Sequence, residues 1–140
     1  MSTPTPQSAF EGYLVHVNTG NLEGALSTMT PDLQYIEHTL GWDCTTRDQY
    51  REEVEIWYAN TRMNANLVHA YTDGRRAAVH WHLRVDLAGP IPGLAGEEHI
   101  GKSVEFDGVT LITIDASGLM TRIEDFWGPY DAAQQLADAP

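Results

Sequence analysis

Along the first part of the chain apolar residues recur every three to four positions, and after about residue 65 they alternate with polar ones. Phe10, Tyr13, Leu14 and Val17 form an i, i+3, i+4, i+7 stripe, which predicts a helix over 9–18, capped by Ser8 and ended by Gly20. Asn21 caps a short second helix over 22–29, broken before Pro31. Residues 32–38 read as a strand with Leu33, Tyr35 and Glu37 on one face and Gln34, Ile36 and His38 on the other. A loop holding Gly41, Trp42 and Asp43 leads to a third helix, capped by Thr45 or Thr46 and running to about Thr61. Its apolar face is Tyr50, Val54, Trp57 and Tyr58.

The rest reads as strands. Residues 66–72 alternate, Asp73 and Gly74 make a turn, and 77–86 form a long strand. Residues 87–99 are punctuated by Gly and Pro and form a loop, expected to hang mobile near a pocket mouth because it offers little buried apolar contact. A hairpin closes the chain: Val109 to Ile114 runs out, residues 115–118 turn, and Leu119 to Trp127 runs back. Residues 1–7 read as a frayed tail and 132–140 as a tail or short helix, leaving one domain over 8–131. Three helices followed by a curved antiparallel sheet is an α+β plan, with the helices covering one face of the sheet. If the sheet curls, the space between the first helix and the sheet becomes a cone-shaped pocket.

Parity in the last strand sets Ile123, Asp125 and Trp127 on one face. An ionised carboxylate between two apolar side chains is costly to bury without a partner. Either Asp125 is solvated on the open side of the sheet, or that face lines the pocket and Asp125 is its acid or base. Parity leaves both open. The strand 77–86 raises the same question, with Val79, Trp81, Leu83 and Val85 on one face and His80, His82 and Arg84 on the other.

Composition narrows the partners. A formal net charge of −12, with eight Lys and Arg, leaves no basic face for nucleic acid and disfavours anionic membrane surfaces. No apolar run approaches the roughly 18–20 residues that span a bilayer, and the first residues lack the look of a signal peptide. Cys44 stands alone, so no intrachain disulfide forms and a cytoplasmic location is the default. No Gly-rich phosphate loop and no partnered nucleophile is visible.

Several stretches resemble the nuclear-transport-factor-two-like superfamily, in its SnoaL-like polyketide cyclase and ketosteroid isomerase branches. They are residues 12–24 (Gly-Tyr-Leu-Val-His-Val-Asn-Thr-Gly-Asn-Leu-Glu-Gly), 78–84 (Ala-Val-His-Trp-His-Leu-Arg), 101–109 and 118–129, in that order. The resemblance implies a cone-shaped α+β barrel and, among its members, isomerases, cyclases, dehydratases, epoxide hydrolases and proteins that only bind. By this resemblance Tyr13 falls at the oxyanion-holding tyrosine of the isomerases and Glu37 at their carboxylate base. Asp125 falls at the catalytic aspartate of cyclases and limonene-type epoxide hydrolases. Thr110 stands where the isomerases keep a protonated aspartate. Trp81 and Leu83 stand where the epoxide hydrolases keep an arginine and an aspartate.

Two carboxylates over one cavity suit proton shuttling, because enclosure and like charge raise a carboxyl pKa. The expected catalytic set is therefore Asp125, Glu37 facing it across the cavity, and Tyr13 as hydrogen-bond donor. Trp81, Leu83, Ile123, Trp127, Thr110 and His38 are expected to bind substrate. The function this supports is cofactor-independent acid–base chemistry (cyclase, isomerase or dehydratase) on a small apolar carbonyl or hydroxyl compound, such as a polyketide or a terpenoid- or steroid-like molecule. The alternative is a binding protein with the same pocket. His80 and His82, with Asp86, Glu98 or His99 as a third ligand, could hold a metal. Their face points away from the apolar one, so no metal or cofactor is expected. The same outer face, with Arg84, is expected at or near a homodimer interface, as SnoaL-like relatives commonly pair through the sheet and two-fold pairing is the commonest assembly.

Overall fold

The change of periodicity falls where helix passes directly into strand. In the computed structural model, which describes residues 3–138, α3 (Arg47–Asn60) hands over to β3 (Thr61–Asp73) with Thr61 at the junction. Before it come α1 (Pro6–Asn18), α2 (Leu22–Leu26), β1 (Met29–Glu37) and β2 (Trp42–Cys44); after it β4 (Arg76–Leu87), β5 (Ser103–Ile114), β6 (Met120–Trp127) and α4 (Pro129–Asp138). Among the described residues no helix is long and apolar enough to cross a membrane.

Helix α1 starts earlier than Ser8. Thr5 is its cap, with Ser8 returning a bond from its own hydroxyl, and Pro6 fits the first turn, where its missing N–H is no loss. Residues 6 and 7, read as tail, are therefore helical; Met1 and Ser2 lie outside the described residues. Helix α2 ends at Leu26, not at 29, because β1 begins at Met29. Pro31 sits inside that strand, in the stretch between Met29 and Gln34 where pairing with β6 is irregular and a missing donor is tolerated. The stretch holding Trp42 is a short strand, not a loop. The C-terminal stretch is the helix α4, which buries Ala132 and Leu136; Gln135 bonds both backbone groups of Glu105 on β5.

The six strands run in the order β2-β1-β6-β5-β4-β3. The sheet is antiparallel, as expected, at every pair but one: β1 and β6 run parallel, with Glu37 beside Asp125. Helix α3 touches β1 near one edge and β3 at the other, which only a strongly curved sheet allows. Helix α1 is tied to β3 by Asn18, whose side chain bonds both backbone groups of Ala65. Strands β4 and β5 alternate as expected: Val79, Trp81, Val104, Phe106, Thr110 and Ile112 turn inward and are buried. Gly108 lies under Trp81, its partner across the ladder, and any Cβ there would run into the indole ring.

Between β4 and β5 the chain makes one three-residue 3₁₀ turn, Glu97–His99. The expectation of little buried contact there does not hold: Ile91 is buried and bridges to Ala95, and Asn60 at the end of α3 binds the backbone of Ala88, Gly89 and Pro90. Gly93 packs beside Leu40.

Candidate active site

Inside the curve, between α1, α3 and the sheet, lies a cavity of about 780 Å³ including its open part. Aromatic side chains dominate its wall, and its polarity comes from a few groups held in place by one another.

Asp125 is half-buried on this wall and both its oxygens are engaged. Thr110 Oγ1 donates to Oδ1 at 2.6 Å, and the Tyr35 hydroxyl donates to Oδ2. Thr110 is itself steadied by Trp81 Nε1, which donates to Oγ1 at 2.7 Å. The indole thereby takes one of the hydroxyl's acceptor sites and leaves its proton for the carboxylate. Burial pushes the Asp125 carboxyl up to about 6; the bonds from Thr110 and Tyr35 pull it down, and the charge of Glu37 pushes it up again.

Glu37, 4% exposed, is held more firmly still. Its Oε1 accepts from the backbone N–H of Thr39 at 2.7 Å and of Leu40 at 3.3 Å, and its Oε2 from Trp127 Nε1 at 2.7 Å. It does not face Asp125 across the cavity. The parallel register of β1 and β6 sets the two side by side on neighbouring strands.

Tyr13 and Tyr50 share a hydroxyl–hydroxyl bond of 3.3 Å, and the Tyr35 and Tyr50 rings meet with centroids 4.5 Å apart. Burial is the first cause that pushes all three phenols well above their ordinary range, with the charge of Asp125 adding to it. They remain protonated donors at neutral pH.

Tyr13, Glu37, Trp81, Leu83, Thr110, Ile123, Asp125 and Trp127 all line this cavity. His38 does not. Alternation along β1 turns it outward as Glu37 turns in, and its exposed ring stacks on Phe126 with centroids 4.2 Å apart. The sequence reading missed Tyr35 and Tyr50 as site residues. Both were already set on apolar faces, and a phenol on such a face needs a partner for its hydroxyl, which was the available signal.

His80 and His82 lie on the outer face, as parity required. Asp107 accepts from both, at 2.8 Å from His80 Nε2 and 2.5 Å from His82 Nδ1, and Glu105 lies 3.2 Å from His82 Nε2. Asp86 is engaged with Arg84 and Ser103 instead, and His99 lies against Glu98. Among the described residues no three ligating side chains converge on a metal position.

The chain belongs to the SnoaL-like domain family, which it matches over residues 10–123. Solved structures share its fold. A candidate polyketide cyclase from Pseudomonas putida KT2440 superposes with a TM-score of 0.80 at 17% identity, covering 94% of this chain and 97% of that one. A protein of ketosteroid isomerase-like fold from Catenulispora acidiphila DSM 44928, in complex with trimethylamine, gives 0.77 at 15% identity, with 97% and 95% covered. In sequence the chain is similar to epoxide hydrolase LasB of Streptomyces lasalocidi. Identity is 26% over 133 residues, 86% of this chain and 46% of that protein, so the chain spans about half the length of that relative.

Proposed function

We propose that the cavity binds a small, largely apolar carbonyl or hydroxyl compound and that Asp125 moves a proton on it without a cofactor. One observation carries this reading: a carboxyl raised to about 6 stands on an aromatic cavity wall beside protonated phenols. A base poised near the working pH can take a proton from the carbon next to a carbonyl and return it. The C–H electron pair then moves to the carbonyl oxygen, and a hydroxyl of the Tyr13–Tyr50 pair donates to the oxyanion that forms. Return of the proton to another carbon is isomerisation. Attack of the carbanion on a second carbonyl closes a ring. Loss of a neighbouring hydroxyl, taking its proton from Asp125 and leaving as water, is dehydration.

The likeness to a protein named an epoxide hydrolase supports a fourth outcome of the same transfer. Protonated Asp125 gives its proton to an epoxide oxygen as the C–O bond breaks, while the oxygen of a water molecule bonds to the carbon and releases one proton to solvent, leaving a diol. The role of Glu37 is to hold charge beside Asp125, since three N–H groups already occupy its oxygens.

A binding protein without chemistry is the second reading. It is favoured by the same bonds, because both Asp125 oxygens already accept one. Turnover of a panel of alicyclic ketones, hydroxyketones and epoxides separates the two. Asp125→Asn should keep the fold and lower turnover by roughly 10²–10⁴, with Glu37→Gln costing less. Full turnover of a confirmed substrate by Asp125→Asn would leave only the binding reading.

For the outer face we propose pairing of two copies of the chain. Exposed Val109, Leu111 and Phe126 beside His80 and Asp107 support it.

A further inference from the structure

All four tryptophans of the chain line the cavity. Two use their N–H groups on the site itself, Trp81 on Thr110 and Trp127 on Glu37. Trp57, only 8% exposed, is different: its buried Nε1 has no hydrogen-bond partner among the described residues, and neither has the buried hydroxyl of Tyr58 next to it. Both residues line the cavity. The Tyr58 hydroxyl lies close enough to Tyr13 and Tyr50 to interact with them electrostatically. That pair shares a single bond, which consumes one of its two protons. Two residues of the wall, Trp57 and Tyr58, therefore hold unspent donors just beneath its surface, and the Tyr13–Tyr50 pair holds a third.

Buried donors are nearly always paired, and leaving one unpaired destabilises the fold. A single orphan can be a by-product of packing. Two on adjacent residues of one cavity wall ask for an acceptor that the described residues do not supply. Trp57 lies seven residues beyond Tyr50 on α3, two helical turns or roughly 10 Å along the axis. Among the described residues the wall contains Glu37 and Asp125 and no Lys, Arg or His, so an anionic ligand would be repelled.

We infer that Trp57 and Tyr58 form a second, non-reacting polar subsite, and that the ligand is a neutral, mainly apolar molecule with at least two oxygen functions. One oxygen reacts at the Asp125 end, beside the Tyr13–Tyr50 pair, and an ether, carbonyl or hydroxyl oxygen about 10 Å further along α3 accepts from Trp57, with the Tyr58 hydroxyl between the two. This inference rests on the proposed chemistry for the position of the reacting end. A ligand with one oxygen would fill the cavity but leave the α3 donors unmatched, so the subsite selects doubly oxygenated skeletons.

Two neutral probes test it by calorimetric binding at pH 7: 4-phenylcyclohexanone, with one oxygen, and 4-(4-methoxyphenyl)cyclohexanone, which adds an ether at the far end. The protein should bind the methoxy compound about tenfold more tightly, the worth of one or two buried hydrogen bonds. The Trp57→Phe/Tyr58→Phe double variant should bind both probes equally. Asp125→Asn should keep the tenfold preference. Equal binding by the unaltered protein, no millimolar binding of either probe, or a preference that survives in the double variant would each overturn the subsite. Tyr58→Phe should leave Tm unchanged or raise it; a fall of about 4 °C or more would mean that the hydroxyl has a structural partner and would overturn it too. The two ideas fail separately. Full turnover by Asp125→Asn removes the acid–base reading and leaves the preference standing, whereas a missing preference with turnover lost in Asp125→Asn removes only the subsite.

Discussion

Asp125 and Asp107 sit on the same sheet, each with two side chains hydrogen-bonded to it, and they hold their protons in opposite ways. Asp107 on the outer face meets His80 and His82, and its carboxyl is held below the ordinary range, first by the bond from His82. Asp125 on the inner face meets Thr110 and Tyr35, and its carboxyl rises to about 6. Both sets of bonds favour the ionised form. The difference is solvent: at Asp107 water remains, while at Asp125 the loss of hydration outweighs the two bonds. Partners that can carry positive charge stand only on the wet side. One face thus lowers a carboxyl through its hydrogen bonds and the other raises one through burial.

The largest test of this contrast is the pH dependence of stability. Asp125 has a folded pKa of about 6 against an ordinary 3.8, so the folded state binds its proton more tightly. Its stabilising contribution is complete below 3.8 and is lost as pH rises through 6, on the order of 3 kcal/mol in all. Asp125→Asn lacks this titration. Urea unfolding at intervals from pH 4 to 7 should find the variant gaining on the unaltered protein by about that amount. Parallel stability curves would mean that Asp125 is solvated like Asp107.

Assembly sharpens the comparison from the other side. If two copies pair through the outer face, light scattering finds a dimer at micromolar concentration. A monomer removes that proposal and keeps Asp107 in open water.

The smallest effect belongs to Asp107→Asn. The lowered carboxyl contributes above 3.8 and is lost as pH falls through its folded value. His82, raised first by its bond to Asp107, contributes below 6.5 and is lost as pH rises through its folded value. Their joint contribution is greatest between 3.8 and 6.5. The substitution should cost less than about 1 kcal/mol there, as exposed pairs do, and should move the NMR titration midpoint of His82 down. A larger loss would mean that the outer face is covered and dry.

Much of this contrast was legible in the chain. Alternation set Asp125 between Ile123 and Trp127, and turned His80 and His82 away from Trp81, because side chains in a strand change face at every residue. The same rule turned His38 away from Glu37, and reading it strictly would have removed His38 from the pocket. What alternation does not encode is which strands meet. Tyr35 reaches Asp125, 90 residues away in sequence, only because β1 lies parallel to β6. The same pairing puts Glu37 beside Asp125 instead of opposite it. The three residues of β2 were too few to display a period, and Pro31 looked like a stop until an irregular stretch of pairing accommodated it.

By itself, then, the sequence determined the first three helices to within a few residues of their ends, most of the strands, the inward faces and the presence of a carboxylate among apolar neighbours. These follow from local backbone preferences and from the short-range period of hydrophobic residues. Tertiary structure alone decided that Trp81 steadies Thr110 and Thr110 holds Asp125, that Glu37 is occupied by Trp127, and that Trp57 and Tyr58 are left with donors unspent. Hydrogen-bond partners and desolvation depend on which distant segments share a volume. That volume exists only once the sheet has curved around α1 and α3.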